Sequence, residues 1–233
     1  METELFPESA EHGEMASIQR RISKRAVFGD GISESVETVA GVDQAFNDDT
    51  AVSAAVVMRD GDTIETATAR RETRIPYIPG LLAFREGHAV VASLRALETT
   101  PDVVLVDGSG RIHPRQSGLA THVGVALGIP TVGVAKSLLC GEPRRSVERL
   151  EEGERVPILA DDGIDTPDST TVGYAVQTKQ YAPDASTSVN PLYVSPGHRV
   201  SAETASDIVE DACDVYKLPE PVRRADALAY EAK

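Results

Sequence analysis

Tryptophan is absent from this 233-residue chain, cysteine occurs twice and lysine five times. Cys140 and Cys213 stand outside any C-x-x-C pair. That argues against a disulfide framework and a thiolate zinc site, and both thiols read as small core residues. No apolar run approaches the roughly 20 residues of a membrane span. The start of the chain, Met1 to Ala10, is acidic rather than basic followed by apolar, so a secretory leader is not expected and the protein reads as cytoplasmic. Lys24, Lys136, Lys179, Lys217 and Lys233 are the only lysines, the other cations are arginines, and the net charge is −14. Such a surface stays hydrated in concentrated salt, where the Debye length shrinks to about 3 Å and screens self-repulsion. A salt-loving source fits. Taken alone, the charge argues against nucleic acid as a partner.

The length suits one domain, residues 1–233. Residues 1–25 read as a leading segment whose apolar and charged residues alternate at helical spacing from about Ala10, with Arg20, Arg21, Lys24 and Arg25 at its end. "TVAGVDQAF", "AVSAAVVMR" and "TIETATARR" read as an antiparallel meander with turns at Asn47 to Asp49 and Asp60 to Asp62. A helix follows through Leu97, then "DVVLVDG", a continuous apolar run of the kind that strands buried on both faces show. After that come a helix across Gly118 to Leu127, a strand at "TVGVA", short strands near 156–160, 172–177 and 191–194, and a helix from Ser201 to Val215. Residues 148–168, dense in Asp, Glu, Gly and Pro, read as an acidic surface excursion. A meander leading into alternating helix and strand predicts an α/β fold: a ribonuclease-H-like mixed sheet, antiparallel then parallel, flanked by helices.

Three carboxylates stand in unusual positions. Asp43 lies on a strand face of small and apolar residues, and Asp107 closes the buried run Val103 to Val106, where open α/β sheets place ligands. Glu86 interrupts the stripe Leu82, Val90, Leu94, Leu97 and so points inward. Like charges brought together repel unless a cation joins them, and oxygen ligands favour Mg²⁺, with Mn²⁺ able to substitute. Singly, each carboxylate is equally well a cap, a turn former or an ion-pair partner. Gly108-x-Gly110 suggests a dinucleotide loop, but His113 stands at the third glycine position and Pro114 delays the helix. His113 and Arg115 instead offer a rigid polar loop beside Asp107. Lys136, at a strand end, suits a point contact to phosphate. His198 falls in a Pro-Gly turn, where it can position water or move a proton.

The stretches "GVDQAF", "PYIPGLLAFRE", "VLVDGSGRIHPRQSGLATHVG", "GVAKS" and "VSPGHR", in that order, resemble the endonuclease V family over most of residues 38–200. The resemblance implies a Mg²⁺-dependent endonuclease of DNA repair. Its substrate would be DNA carrying deoxyinosine or other deaminated bases, with inosine RNA as an alternative partner. The cut would fall at the second phosphodiester 3′ of the lesion, leaving 3′-hydroxyl and 5′-phosphate ends, and the enzyme would act as a monomer. Asp43, Asp107 and Glu86 would hold metal, while Lys136 and His198 would complete the catalytic set. Tyr77, held by Pro76 and Pro79, matches a wedge that replaces lost base stacking. Ile78, Gly80, Leu82, His113 and Gly118 would line the substrate site. Gln44 and the turn after it depart from the family's form. Arg20/Arg21, Arg70/Arg71/Arg74 and Arg111/Arg115 offer a local basic track against the acidic background. Competing readings are a non-catalytic inosine-binding module on the same fold, and a related nuclease for RNA or branched DNA.

Overall fold

The structure, a computed structural model, describes residues 5–7, 11–32, 35–73, 75–181 and 187–233. Ala10, near the expected start of the leading helix, and Arg74 lie outside them. The leading helix is α1 (His12–Ser23). The meander follows as β1 (Val39–Asn47), β2 (Thr50–Arg59) and β3 (Asp62–Glu72). At its two turns Asp48 and Asp60 each take a left-handed φ of 51°, which a short side chain able to bond its own backbone tolerates.

Next come α2 (Leu82–Arg95), β4 (Val103–Asp107), α3 (Leu119–Leu127) and β5 (Thr131–Ala135). Both β4 and β5 are buried but for their last residues, Asp107 and Ala135, and β4 runs parallel to β1 and to β5. Beyond β5 the sheet turns antiparallel again through β6 (Glu142–Pro143), β7 (Arg155–Leu159), β8 (Thr171–Val176) and β9 (Leu192–His198). The strand order is β3-β2-β1-β4-β5-β9-β8-β7-β6.

Two helices end the chain. The first, α4 (Ala202–Asp211), begins at the expected cap: Ser201 Oγ accepts from the Thr204 amide. The second, α5 (Glu220–Ala232), was not anticipated. Its apolar residues, Val222, Ala225 and Ala229, are too small to stand out as a stripe, yet they pack on β1 and β2. Helices α2 and α3 share one core with Ala40, Val42, Val104 and Val106, whereas α4 and α5 cover Val103, Leu105 and the β5–β9 strands on the other face.

The segment 148–168 is not a mere surface excursion. It contains β7, and Leu150, Val156, Ile158, Ala160 and Ile164 join Ile112 and Val172 in a satellite core. Its acidic side chains hide apolar anchors spaced too widely to read as a stripe. Among the described residues no helix is long and apolar enough to cross a membrane.

Candidate active site

Strand alternation decides where the carboxylates go. Ala40 and Val42 pack beneath α2 while Val39 packs with the opposite core, so Asp43 turns towards α5 and Gln44 towards α2. By the same alternation Val104 and Val106 face α2, and Asp107 joins Asp43 on the α5 side. Glu86, on α2, approaches the same sheet edge from the other face. Asp43 and Glu86 are 4% and 6% exposed, which leaves little water to solvate either charge.

Gln44 ties the two together. Its backbone N–H donates to Asp43 Oδ1 at 2.6 Å, and its Nε2 donates to Glu86 Oε2 at 2.6 Å. Lys136 Nζ donates to Asp107 Oδ2 at 2.7 Å. These contacts do not balance the site. Burial, reinforced by the charge of Asp107, pushes Asp43 and Glu86 each up to about 8. Burial opposes the Lys136 charge, yet its hydrogen bond to Asp107 and the surrounding carboxylates lift the ammonium above its usual range. A fourth carboxylate, Asp226 on α5, contributes to raising both Asp43 and Lys136. Sequence reading missed it, because an exposed acid on a helix carries no signal until the fold lays that helix over β1.

The donor set is oxygen only and over-supplied with negative charge, which suits a hard divalent ion. As the side chains stand, no three or more His, Cys, Asp or Glu residues among those described are gathered closely enough to cage one. Glu86 is drawn to Gln44 and Asp107 to Lys136 instead.

A cleft of about 300 Å³ opens beside this edge, lined by Glu86, Asp107, Lys136, Tyr77, Gly80, Gly118 and others. Pro79, Leu82 and His113 also line it, whereas Pro76 and Ile78 do not. The 75–81 loop is anchored by buried Ile75, whose carbonyl accepts from Arg85 at 2.7 Å, and by a turn from Leu81 N–H to Ile78 O at 2.9 Å. Tyr77 stands out of it, 69% exposed, so a large ring is held in water on a fixed loop. Gly80 adopts φ +77°, a conformation L side chains avoid. Its carbonyl is bonded by His113 Nε2 at 2.9 Å, Gln19 Nε2 at 2.9 Å and Arg115 at 3.2 Å. A Cβ on Gly118 would sit 2.2 Å from the Ser109 carbonyl, so only glycine lets these two stretches meet.

His113 is part of the wall. It is 2% exposed, and burial lowers its pKa to about 4, so the ring is neutral. Nε2 then donates to Gly80 O while Nδ1 accepts from the Arg115 amide at 3.1 Å, clipping the two sides of the cleft together. Gln19 of α1, buried and not singled out from sequence, does the same by bonding Gly80 O and Ser117 O and accepting from Arg115 Nε at 2.6 Å.

His198 is not in this site. It lies within β9 rather than in a turn, and it pairs with Thr131 at the start of β5, whereas Asp107 and Lys136 mark the strand ends opposite. Its Nδ1 accepts from the Val27 amide at 3.2 Å, a structural tie. The basic track is also thinner than expected. Arg111 bonds Gln116 and lies over the Phe28 ring, and Arg115 serves the cleft wall. A larger hollow of about 750 Å³, between Met58, Cys213 and Pro221, is lined by none of Asp43, Glu86, Asp107, Asp226 and Lys136.

Residues 20–227 match the family model described as Endonuclease V. The endonuclease V of Haloarcula marismortui, a halophilic archaeon, is 62% identical over 197 residues, covering 84% of this chain and 72% of that protein. The crystal structure of the Streptomyces avermitilis endonuclease V superposes with a TM-score of 0.83 at 35% identity, covering 97% of this chain and 94% of the other. A Ciona intestinalis endonuclease V, in complex with a 24mer DNA containing an inosine followed by a ribo-adenosine, gives 0.78 at 28% identity, covering 94% and 96%.

Proposed function

Because this chain belongs to the Endonuclease V family and is an endonuclease, we propose that it is a divalent-metal-dependent enzyme. It nicks DNA at deoxyinosine and other deaminated bases, cutting the second phosphodiester 3′ of the lesion to leave 3′-hydroxyl and 5′-phosphate ends. The observation that carries this reading is that buried Glu86 and the strand-end Asp107 line one cleft of about 300 Å³, with buried Asp43 held next to them through Gln44.

Asp43, Asp107 and Glu86 are the residues that would hold Mg²⁺ or Mn²⁺, with Asp226 beside them. The ion would supply an activated water and offset charge on the scissile phosphate. The protein's own contribution is positional. Gly80 and Gly118 bring backbone close to an everted base, and neutral His113 keeps those walls in register. Tyr77, exposed on its anchored loop, fills the gap left in the stack, an exchange worth about 1–3 kcal/mol. Lys136 offers the phosphate a point charge at the cleft edge. An acidic surface in molar salt leaves little to general phosphate attraction, so affinity shifts to the ion, the stacked ring and the base slot.

Product mapping on an inosine-containing duplex, with Mg²⁺ and across a KCl series, tests the proposal. A single nick at the second 3′ phosphodiester is expected. An intact duplex would overturn the proposed cut at the lesion. A parallel arm with inosine RNA is warranted because the Ciona complex carries a ribonucleotide after its inosine, and faster cutting of RNA would change the substrate class.

A further inference from the structure

Lys217 feels the charge of Lys136 across the sheet edge. Lys217 lies in the loop between α4 and α5, and its carbonyl accepts from Thr178 Oγ1 at 2.7 Å and from Cys213 Sγ at 3.3 Å. Thr178 follows the end of β8, which runs antiparallel to β9, as β9 does to β5. The ends of β5 and β8 therefore share one edge, about 10 Å apart across two strand spacings. Lys217 is pinned to the edge that carries Asp107 and Lys136.

The other lysines are accounted for. Lys136 holds Asp107, Lys179 pairs with Glu152 at 3.2 Å, Lys233 lies 4.3 Å from the Tyr230 ring centroid, and Lys24 is exposed. Lys217 is half-buried and, among the described residues, has no hydrogen bond or ion pair at its ammonium. Burial, together with the facing charge of Lys136, lowers its pKa. In a chain of net charge −14, a half-buried cation with no ion pair of its own, facing another cation, is suited to an anion brought from outside.

We propose that Lys217 and Lys136 bracket the polynucleotide backbone, with Lys217 contacting a phosphodiester beyond the phosphate at Lys136, on the side away from the base slot. The inference rests on the nuclease reading above and extends it to a second phosphate. The cleft reaches Lys136 and not Lys217, so the second contact lies outside the base slot.

The test is the salt dependence of binding. An inosine-containing single strand is titrated by fluorescence anisotropy, with chelator present to prevent cutting, over a KCl range in which circular dichroism shows the fold intact. Loss of one phosphate contact should make the slope of log K against log[KCl] shallower by about 0.7 in Lys217→Gln. Lys217→Arg should keep the wild-type slope. A Lys217→Gln slope equal to wild type overturns the proposal, even if affinity falls evenly, because a purely structural role weakens binding without releasing fewer counterions. Nicking and slope fail separately. A wild type that nicks while its slope ignores Lys217 loses only this inference, and a slope change without nicking removes only the nuclease.

Discussion

Asp102 and Asp107 sit at the two ends of β4, and their surroundings are opposites. Asp102 Oδ2 accepts from the Glu37 amide at 3.0 Å, the Thr38 amide at 2.8 Å and Thr38 Oγ1 at 2.9 Å. Burial works against its charge, but the bonds from Thr38 and Glu37 hold the carboxylate below its usual pKa. Five residues on, Asp107 has one lysine contact and two neighbouring carboxylates pushed up to about 8. At one end of the sheet the charge is satisfied from within. At the other it is left for something the chain does not contain, which is how binding sites differ from structural ion pairs.

The comparison breaks most visibly by mutation at the unsatisfied end. Asp107→Asn or Asp43→Asn should cut nicking of an inosine duplex by on the order of a hundred- to a thousandfold, with melting temperature held or raised. Gel-resolved initial rates beside a thermal melt check both halves. Tyr77→Ala should lose about 1–3 kcal/mol, some 5- to 150-fold, on duplex and much less on a single strand that has no stack to fill. Equal losses on the two substrates would remove the wedge role. At the satisfied end the signs reverse: Asp102→Ala should leave the nicking rate near wild type while costing about 1–3 kcal/mol of stability, read from denaturant melts. His198→Gln should have the smallest effect, a drop of a few degrees in Tm from one lost, partly buried hydrogen bond and little change in rate. A folded His198 variant that cannot nick would show that the histidine does reach the site.

The same contrast predicts a pH dependence. In chelator, folded Asp43 and Glu86 keep their protons up to about pH 8, whereas the unfolded chain releases them near 4. Between those limits the folded state binds more protons, so this contribution to stability is greatest at the acid side and declines as pH rises towards 8. Asp43→Asn and Glu86→Gln should each flatten the Tm profile over that window. Saturating Mg²⁺ should flatten it in the wild type as well.

Much of this was legible in the sequence because the signals are local. Asp107 closes an apolar strand, Glu86 breaks a helical stripe, and the prolines around Tyr77 announce a fixed loop, so each could be read within a dozen residues. What escaped depends on register and on distance along the chain. A Pro-Gly pair reads as a turn, yet Pro196 and Gly197 lie inside β9. Because β9 runs against β5, its last residue, His198, falls at the wrong end of the sheet. Asp226 and Gln19 come from helices outside the recognisable motifs, and only packing brings them to Asp43 and Gly80. The satellite core under 148–168 was hidden by the acids that surround its apolar anchors.

Manganese titration of the whole chain at neutral pH, with free ion followed by electron paramagnetic resonance and released protons recorded alongside, probes the unsatisfied edge most directly. If the strand-end carboxylates hold a divalent ion, the wild type takes up Mn²⁺ and releases protons from Asp43 and Glu86. Both signals should then weaken at least about tenfold in Asp43→Asn and Asp107→Asn. Uptake of equal affinity in those variants, or none in the wild type, would contradict it.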